Sequence, residues 1–301
     1  MTLDVICVGV VTVDTIAMVE RMPAEDDRVL GEPFVVAGGG PAATAAVTLA
    51  RLGASVGFCG VVGDDAAGEL SRRLLDEEGV DTRWLRTRPG VRTPQSMIVV
   101  SRASGSRSIV TSPSVPPDPG SVPVRASRWL HVDQTGYGSA RAALRGETDA
   151  ASLSVDGGNP IPGLDLEDVT LYAPTVGALR DAFPAEDVPG SLRAAASAGA
   201  RQVVATEGGD GCQVLVDGRA VRVPPVVVDP VSTMGAGDVF HGALLAGLVE
   251  GMSPVEAAWR ANVVAALSCR SLDGRSGIPD AAETGKYLST MRPASRIDEY
   301  R

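Results

Sequence analysis

The sequence lacks most of the features that would tie it to metal sites, oxidising compartments or membranes. Its four cysteines, Cys7, Cys59, Cys212 and Cys269, lie far apart without a Cys-x-x-Cys pair, and His131 and His241 are the only histidines. That spacing gives neither a zinc pattern nor a disulfide framework, so free core thiols are expected. No stretch reaches the roughly 18 consecutive apolar residues of a membrane span. Met1-Thr2-Leu3-Asp4-Val5-Ile6 puts no basic segment before a signal-like apolar run, so a cytoplasmic location is expected. Basic residues are outnumbered, 27 Lys and Arg against 37 Asp and Glu, for a formal charge of −10. A broad surface for nucleic acid or anionic lipid is thereby excluded, and an anionic ligand must meet a local positive site. Four Phe and four Tyr leave little with which to stack a nucleobase.

What remains is the composition of a globular protein: 301 residues, 44% hydrophobic and 21% charged. Val5-Ile6-Cys7-Val8-Gly9-Val10-Val11 is short, β-branched and apolar on both faces, the pattern of a buried strand. Residues 12–36 read as a peripheral excursion of brief extended pieces. From Pro41 to Leu52 small side chains predict a closely packed helix ending at Gly53. Val56–Val62 then predicts a strand and Ala66–Glu78 a helix, and such alternation specifies a mainly parallel sheet covered on both faces. Two strands, Gln95–Val100 and Ser108–Thr111, flank a polar turn, and with the early excursion they predict a small β-lid formed from about 12–36 and 92–111. Further strands are expected near 129–132, 152–155, 170–173, 202–206 and 212–216, with helix from about Gly237. Pro113–Pro119 reads as a loop, and there is no internal repeat.

The chemistry is expected where Gly235-Ala236-Gly237-Asp238 runs into that helix. Two glycines permit close backbone approach, and the first amides of a helix are free to bind an anion. Asp238, in the first turn, can accept a proton from a substrate hydroxyl as it attacks a phosphate. A capping role for Asp238 is the plain alternative. Gly38-Gly39-Gly40-Pro41 forms a second glycine-rich entry to a helix, and Asp14 follows the first strand at the end where α/β proteins bind ligands. Together they suit a polyol; turn formation and tight packing are the plain alternatives.

These segments, with Gly60-Val61-Val62-Gly63-Asp64-Asp65 and Thr206-Glu207-Gly208-Gly209-Asp210-Gly211, resemble the ribokinase-like carbohydrate kinases, the PfkB family, over nearly the whole chain. The resemblance implies a three-layer α/β sandwich with a β-lid over the sugar, ATP as donor and Mg²⁺ as helper. It implies Asp238 as catalytic base and Gly235, Ala236 and Gly237 as an anion hole. Asp14, Gly38, Gly39 and Thr44 fall at sugar-contacting positions, and Arg28 in the lid excursion could reach an acidic substituent. Thr206, Gly208 and Gly211 fall beside the ATP phosphates, and Asn262 where the family contacts adenine. Lid strands in the family often pair across a homodimer.

Four residues in three segments depart from the family pattern. Thr44 replaces the usual Asn and offers one hydroxyl where an amide offers donor and acceptor, which argues against ribose specificity. The Gly-Gly-Gly-Pro-Ala-Ala-Thr run resembles instead a subgroup that includes kinases of modified ketohexoses, among them a sulfonated fructose. Thr175 and Ala178 stand where relatives carry Asn and Glu around magnesium, leaving ATP oxygens and water, or Glu207, to hold the ion, and the metal ligands unassigned. Ser232 replaces an Asp that helps bind a monovalent cation, which argues against potassium activation unless Asp229 substitutes. The expected activity is ATP-dependent phosphorylation of a sugar or modified sugar; a nucleoside kinase and a non-catalytic sugar-responsive regulator are the alternatives.

Overall fold

The computed structural model describes residues 2–290 and the backbone of residues 298–299. Its β-branched runs, apolar on both faces, become central strands of one sheet. These are β1 (Leu3–Val8), followed after the first excursion by β4 (Val56–Val62), β8 (Ser127–Val132), β9 (Ser152–Gly157) and β10 (Val169–Pro174), with the more polar β5 (Asp81–Thr87) at the edge beyond β4. The sheet continues through β11 (Gln202–Thr206), β12 (Cys212–Val216), β13 (Arg219–Val223) and the short β14 (Asp298–Glu299). The order across its ten strands is β14-β13-β12-β11-β10-β9-β8-β1-β4-β5. Pairing is parallel from β11 to β5 and antiparallel from β11 to β14.

Helices cover both faces, as buried parallel strands require. One face carries α1 (Pro41–Arg51), α2 (Ala66–Glu77), α6 (Ala236–Val249) and α7 (Pro254–Ser268); the other carries α3 (Tyr137–Leu144), α4 (Val176–Ala182) and α5 (Val188–Ser197). A last helix, α8 (Ala281–Thr290), lies beside α7. Small residues decide the closest approach: a Cβ on Gly242 of α6 would lie 2.6 Å from the carbonyl oxygen of Ala45 on α1. Because α6 is sandwiched between α1, α7 and the sheet, Val239 to Gly247 are all buried, and its amphipathic stripe disappears.

The early excursion forms two full strands, β2 (Thr12–Val19) and β3 (Gly31–Gly39), which join β6 (Gln95–Ser101) and β7 (Arg107–Thr111) in a separate sheet ordered β3-β2-β6-β7. This is the β-lid. Its inner face presents Ile16, Met18, Ile98 and Val100 to Met234 and Leu272 of the main body. On its outer face, pairing aligns Val36, Thr15, Met97 and Val110 in one row. Val36, Met97 and Val110 are 60%, 67% and 72% exposed.

Two features differ from the sequence expectation. Gly38 and Gly39 close the lid strand β3, and Gly40 alone, at φ 92°, turns the chain into α1. Strands β5 and β13 were missing from the pattern, although Asp217-Gly218 before β13, at φ 49° and 77°, has the left-handed geometry of a two-residue hairpin turn.

Candidate active site

Between the lid and the C-terminal ends of the parallel strands lies a cavity of about 480 Å³. Its walls come from far-apart segments: Asp14 on the lid, Thr44 on α1, Asp156 on β9, Thr206 on β11 and Asp238 on α6. The crevice beyond the carboxyl edge of an open α/β sheet is where such folds bind ligands.

Asp14 is 8% exposed, and one of its carboxylate oxygens accepts a 2.7 Å hydrogen bond from the Thr12 hydroxyl. A side chain on Gly39 would collide with the other oxygen, and one on Gly38 with the guanidinium of Arg275. The bare backbone at these two positions therefore admits a carboxylate and a buried cation. Arg275 was not singled out from sequence. It donates through Nη2 to Gly39 O at 2.7 Å and through Nε to Thr44 Oγ1 at 3.3 Å. Burial pulls its pKa down to about 10, opposed by Asp14, Glu78, Asp238 and Asp273, so it is a cation at neutral pH. It holds Thr44 and β3 together from behind.

The Gly235-Ala236-Gly237 turn is preorganised by its neighbours. Gly235 caps α6 in the left-handed region at φ 71°, and a Cβ there would stand 2.9 Å from Gly274 Cα. Ser232 is buried and its hydroxyl accepts from the Met234 amide at 3.2 Å, while its own amide donates to Cys269 O. Ala236 N makes only a long 3.4 Å bond to Thr233 O; among the described residues the amides of Gly235, Gly237 and Asp238 have no acceptor. A side chain at Gly237 would meet open space. Unpaired donors at the positive end of a helix are free to bind an anion.

Asp238 is partly exposed at the floor of this cavity. Desolvation there, reinforced by Asp156 and Asp133, pushes its carboxyl well above the ordinary carboxylate range, and Arg275 pulls it back. A base whose pKa is raised toward the working pH binds a proton more strongly than an ordinary carboxylate. Asp133, also missed from sequence, is fully buried and accepts from the amides of Val10, Ala42, Thr135 and Gly136. Burial pushes its pKa up to about 6 against those bonds. It pins the end of β1 to the starts of α1 and α3. Asp156 Oδ2 lies 3.3 Å from His241 Nδ1, and Arg107 of β7 lines the cavity and donates through Nη1 to Thr233 Oγ1 at 3.0 Å.

The cavity thus gathers Asp14, Gly38, Gly39, Thr44, Thr206, Gly235, Gly237 and Asp238, with Ala236 between the last glycines. It does not gather the rest. Arg28 is exposed on the turn between β2 and β3. Gly208 opens an exposed turn, and Gly211, at φ 96°, leaves no room for a side chain against Val223 O. Asn262 is buried on α7 and donates to Pro224 O at 2.8 Å, fixing the end of β13. Thr175 lines the cavity but its hydroxyl caps α4 by accepting from Ala178 N. Glu207 accepts from Gln213 Nε2 at 2.6 Å outside the cavity lining. Asp229 is exposed.

Comparison with known proteins agrees with this architecture. The family model for pfkB family carbohydrate kinases matches residues 2–115 and 166–281. A ribokinase of Bacillus subtilis is 29% identical over 299 residues, covering 94% of this chain and 99% of that enzyme. A fructokinase of Klebsiella pneumoniae is 30% identical over 286 residues, covering 85% of this chain and 90% of its own. The solved structure of Arabidopsis thaliana ribokinase complexed with ribose and ATP shares the fold at a TM-score of 0.79 and 22% identity, covering 96% of this chain and 99% of that one. The match runs through both the lid strands and the glycine turn into α6, and the chain belongs to the PfkB family of carbohydrate kinases.

Proposed function

We propose that this kinase transfers the terminal phosphoryl group of ATP to a hydroxyl of a sugar or sugar derivative, with Asp238 as general base. One observation carries the reading: Asp238 and Asp14 line the same cavity, beside amides at the start of α6 that have no acceptor. The carboxylate of Asp14, accepting from Thr12 on one oxygen, takes sugar hydroxyls on the other. As the reactive hydroxyl oxygen bonds to the γ-phosphorus, its proton passes to Asp238 and the bond to ADP breaks. The amides at 235–238 and the α6 dipole stabilise the charge that builds on the phosphoryl oxygens. Thr206 and the 208–211 turn then border the nucleotide, with Asn262 supporting the strand end beyond.

Bound magnesium would supply neutralisation of the charge on the nucleotide phosphates. The Thr175 hydroxyl caps α4, the Ala178 side chain carries no oxygen and Glu207 lies outside the cavity lining, so the ion would be held mainly by ATP oxygens and water, which its hydration preference allows. With Ser232 spent on the turn and Asp229 exposed, no potassium activation is expected.

Among the described lining residues there is no Phe, Tyr or Trp, which favours a sugar over a nucleoside. Arg107 is the only Lys or Arg among them and takes over the role considered for Arg28, favouring a substrate with an anionic substituent. A panel of neutral and anionic sugars, followed by ATP consumption and by thermal shift, tests this. Turnover with anionic ketose-like sugars that Arg107→Ala loses is expected; binding without ATP consumption across the panel would instead mark a regulator. The exposed apolar row on the outer face of the lid supports a homodimer through that sheet. Light scattering that gives one chain mass at working concentration would refute the dimer.

A further inference from the structure

The two histidines of the chain, distant in sequence, meet inside the fold. His131 on β8 is 1% exposed and His241 on α6 is 4% exposed. Their rings stand edge to face at 77° with centroids 6.0 Å apart. His131 Nδ1 is 3.0 Å from Ser154 Oγ on the neighbouring strand, which leaves Nε2 buried with no partner. His241 Nδ1 is 3.3 Å from Asp156 Oδ2, too poorly aligned to count as a hydrogen bond, and is likewise unpaired. One ligand atom from each of His131, Asp156 and His241 lies within 4.8 Å of the other two. Buried polar nitrogens are rarely left unsatisfied, and here two imidazoles that each carry one converge on one carboxylate.

We infer that His131, Asp156 and His241 bind a single transition-metal dication of the Zn²⁺ or Co²⁺ class. Two imidazole nitrogens and one carboxylate oxygen suit a borderline ion and not Mg²⁺ or Ca²⁺, which take oxygen ligands. Ligands about 2.0–2.1 Å from a tetrahedral ion stand roughly 3.4 Å apart, and the His241–Asp156 pair already has 3.3 Å. Ser154 fixes the orientation of His131, the outer-shell support that metal-bound imidazoles usually have. Asp156 and His241 also line the cavity, so the remaining coordination position opens toward it, one helical turn from Asp238. The site needs neither nucleotide nor sugar, so it stands or falls apart from the phosphorylation reading.

The test uses the full chain without a histidine tag. Co²⁺ is titrated while its visible absorption and the two histidine ring proton signals are followed, and Zn²⁺ binding is measured by calorimetry. The expected result is one ion per chain, intense visible bands typical of low coordination number, and displacement of both ring signals, with Mg²⁺ moving neither. His131→Asn should weaken Zn²⁺ at least 100-fold, and Ser154→Ala about 10-fold. If the His131 variant fails to fold, the milder Ser154→Ala variant and the wild-type ring signals carry the test. Absence of visible bands, a near-ultraviolet thiolate band placing the ion on cysteine, or unmoved histidine signals would overturn the site and leave the pair as a packed core contact.

Discussion

Replacing Arg275 with Met probes how a site of three cavity carboxylates is kept together. The methionine removes the 2.7 Å bond to Gly39 O and the 3.3 Å bond to Thr44 Oγ1, and it strips the cation from beside Asp14 and Asp238. Hydrogen bonds from a charged donor contribute about 1.5–3 kcal/mol each, and removing one partner of a buried ionic cluster costs about 3–5 kcal/mol. These are two descriptions of one interaction, and both place the loss near 3–5 kcal/mol. Urea unfolding followed by the fluorescence of Trp84, Trp129 and Trp259 reads it as a lowered midpoint with an unchanged slope. Arg275→Lys should recover only part, because an ammonium cannot span both acceptors as the planar fork does. The same change should move the acidic limb of the rate profile upward, since Arg275 lowers the proton affinity of Asp238. A loss below about 1 kcal/mol with an unmoved limb would refute the argument, because it would mean that water replaces the guanidinium without cost.

Two other outcomes follow from the cavity. With its pKa raised in the folded state, Asp238 destabilises the protein where it is ionised; the penalty is absent below the ordinary carboxylate pKa and complete above the folded one. Asp238→Asn should therefore raise the melting temperature at alkaline pH, with the difference closing as pH falls, and wild-type turnover should rise with pH through the raised pKa; a gain constant across pH would contradict this. Gly39→Ala forces a methyl into Asp14 Oδ2, so sugar KM should rise at least 10-fold, about 1.4 kcal/mol, with ATP affinity unchanged; equal loss of both in steady-state kinetics would count against Asp14 as a sugar contact.

What could be read from the sequence is what is local. The apolar runs at 5–11 and 56–62 announced their strands, and the alanine-rich run after Pro41 announced the helix that packs against Gly242. The glycine turn before Asp238 was legible because a left-handed cap and free amides are requirements of a few consecutive residues. Arg275 and Asp133 were not, since their meaning lies in carbonyl and amide partners hundreds of residues or a whole strand away, and no spacing marks them. Gly38 and Gly39 looked like a helix entry because a lid strand that ends on glycine loses the alternation by which strands are recognised. Arg28 looked able to reach the substrate because charge in the excursion was visible while its direction was not; β7 brings Arg107 to the cavity instead.

The role of Asp238 is decided by a paired measurement on Asp238→Asn: nucleotide binding by calorimetry and phosphoryl transfer by phosphorus NMR of the product, each with an accepted sugar. Retained ATP affinity with transfer reduced by about 10²–10⁴-fold or more is the predicted result. Transfer at the wild-type rate would contradict it, and Asp238 would then be a helix-start acid without a part in the reaction.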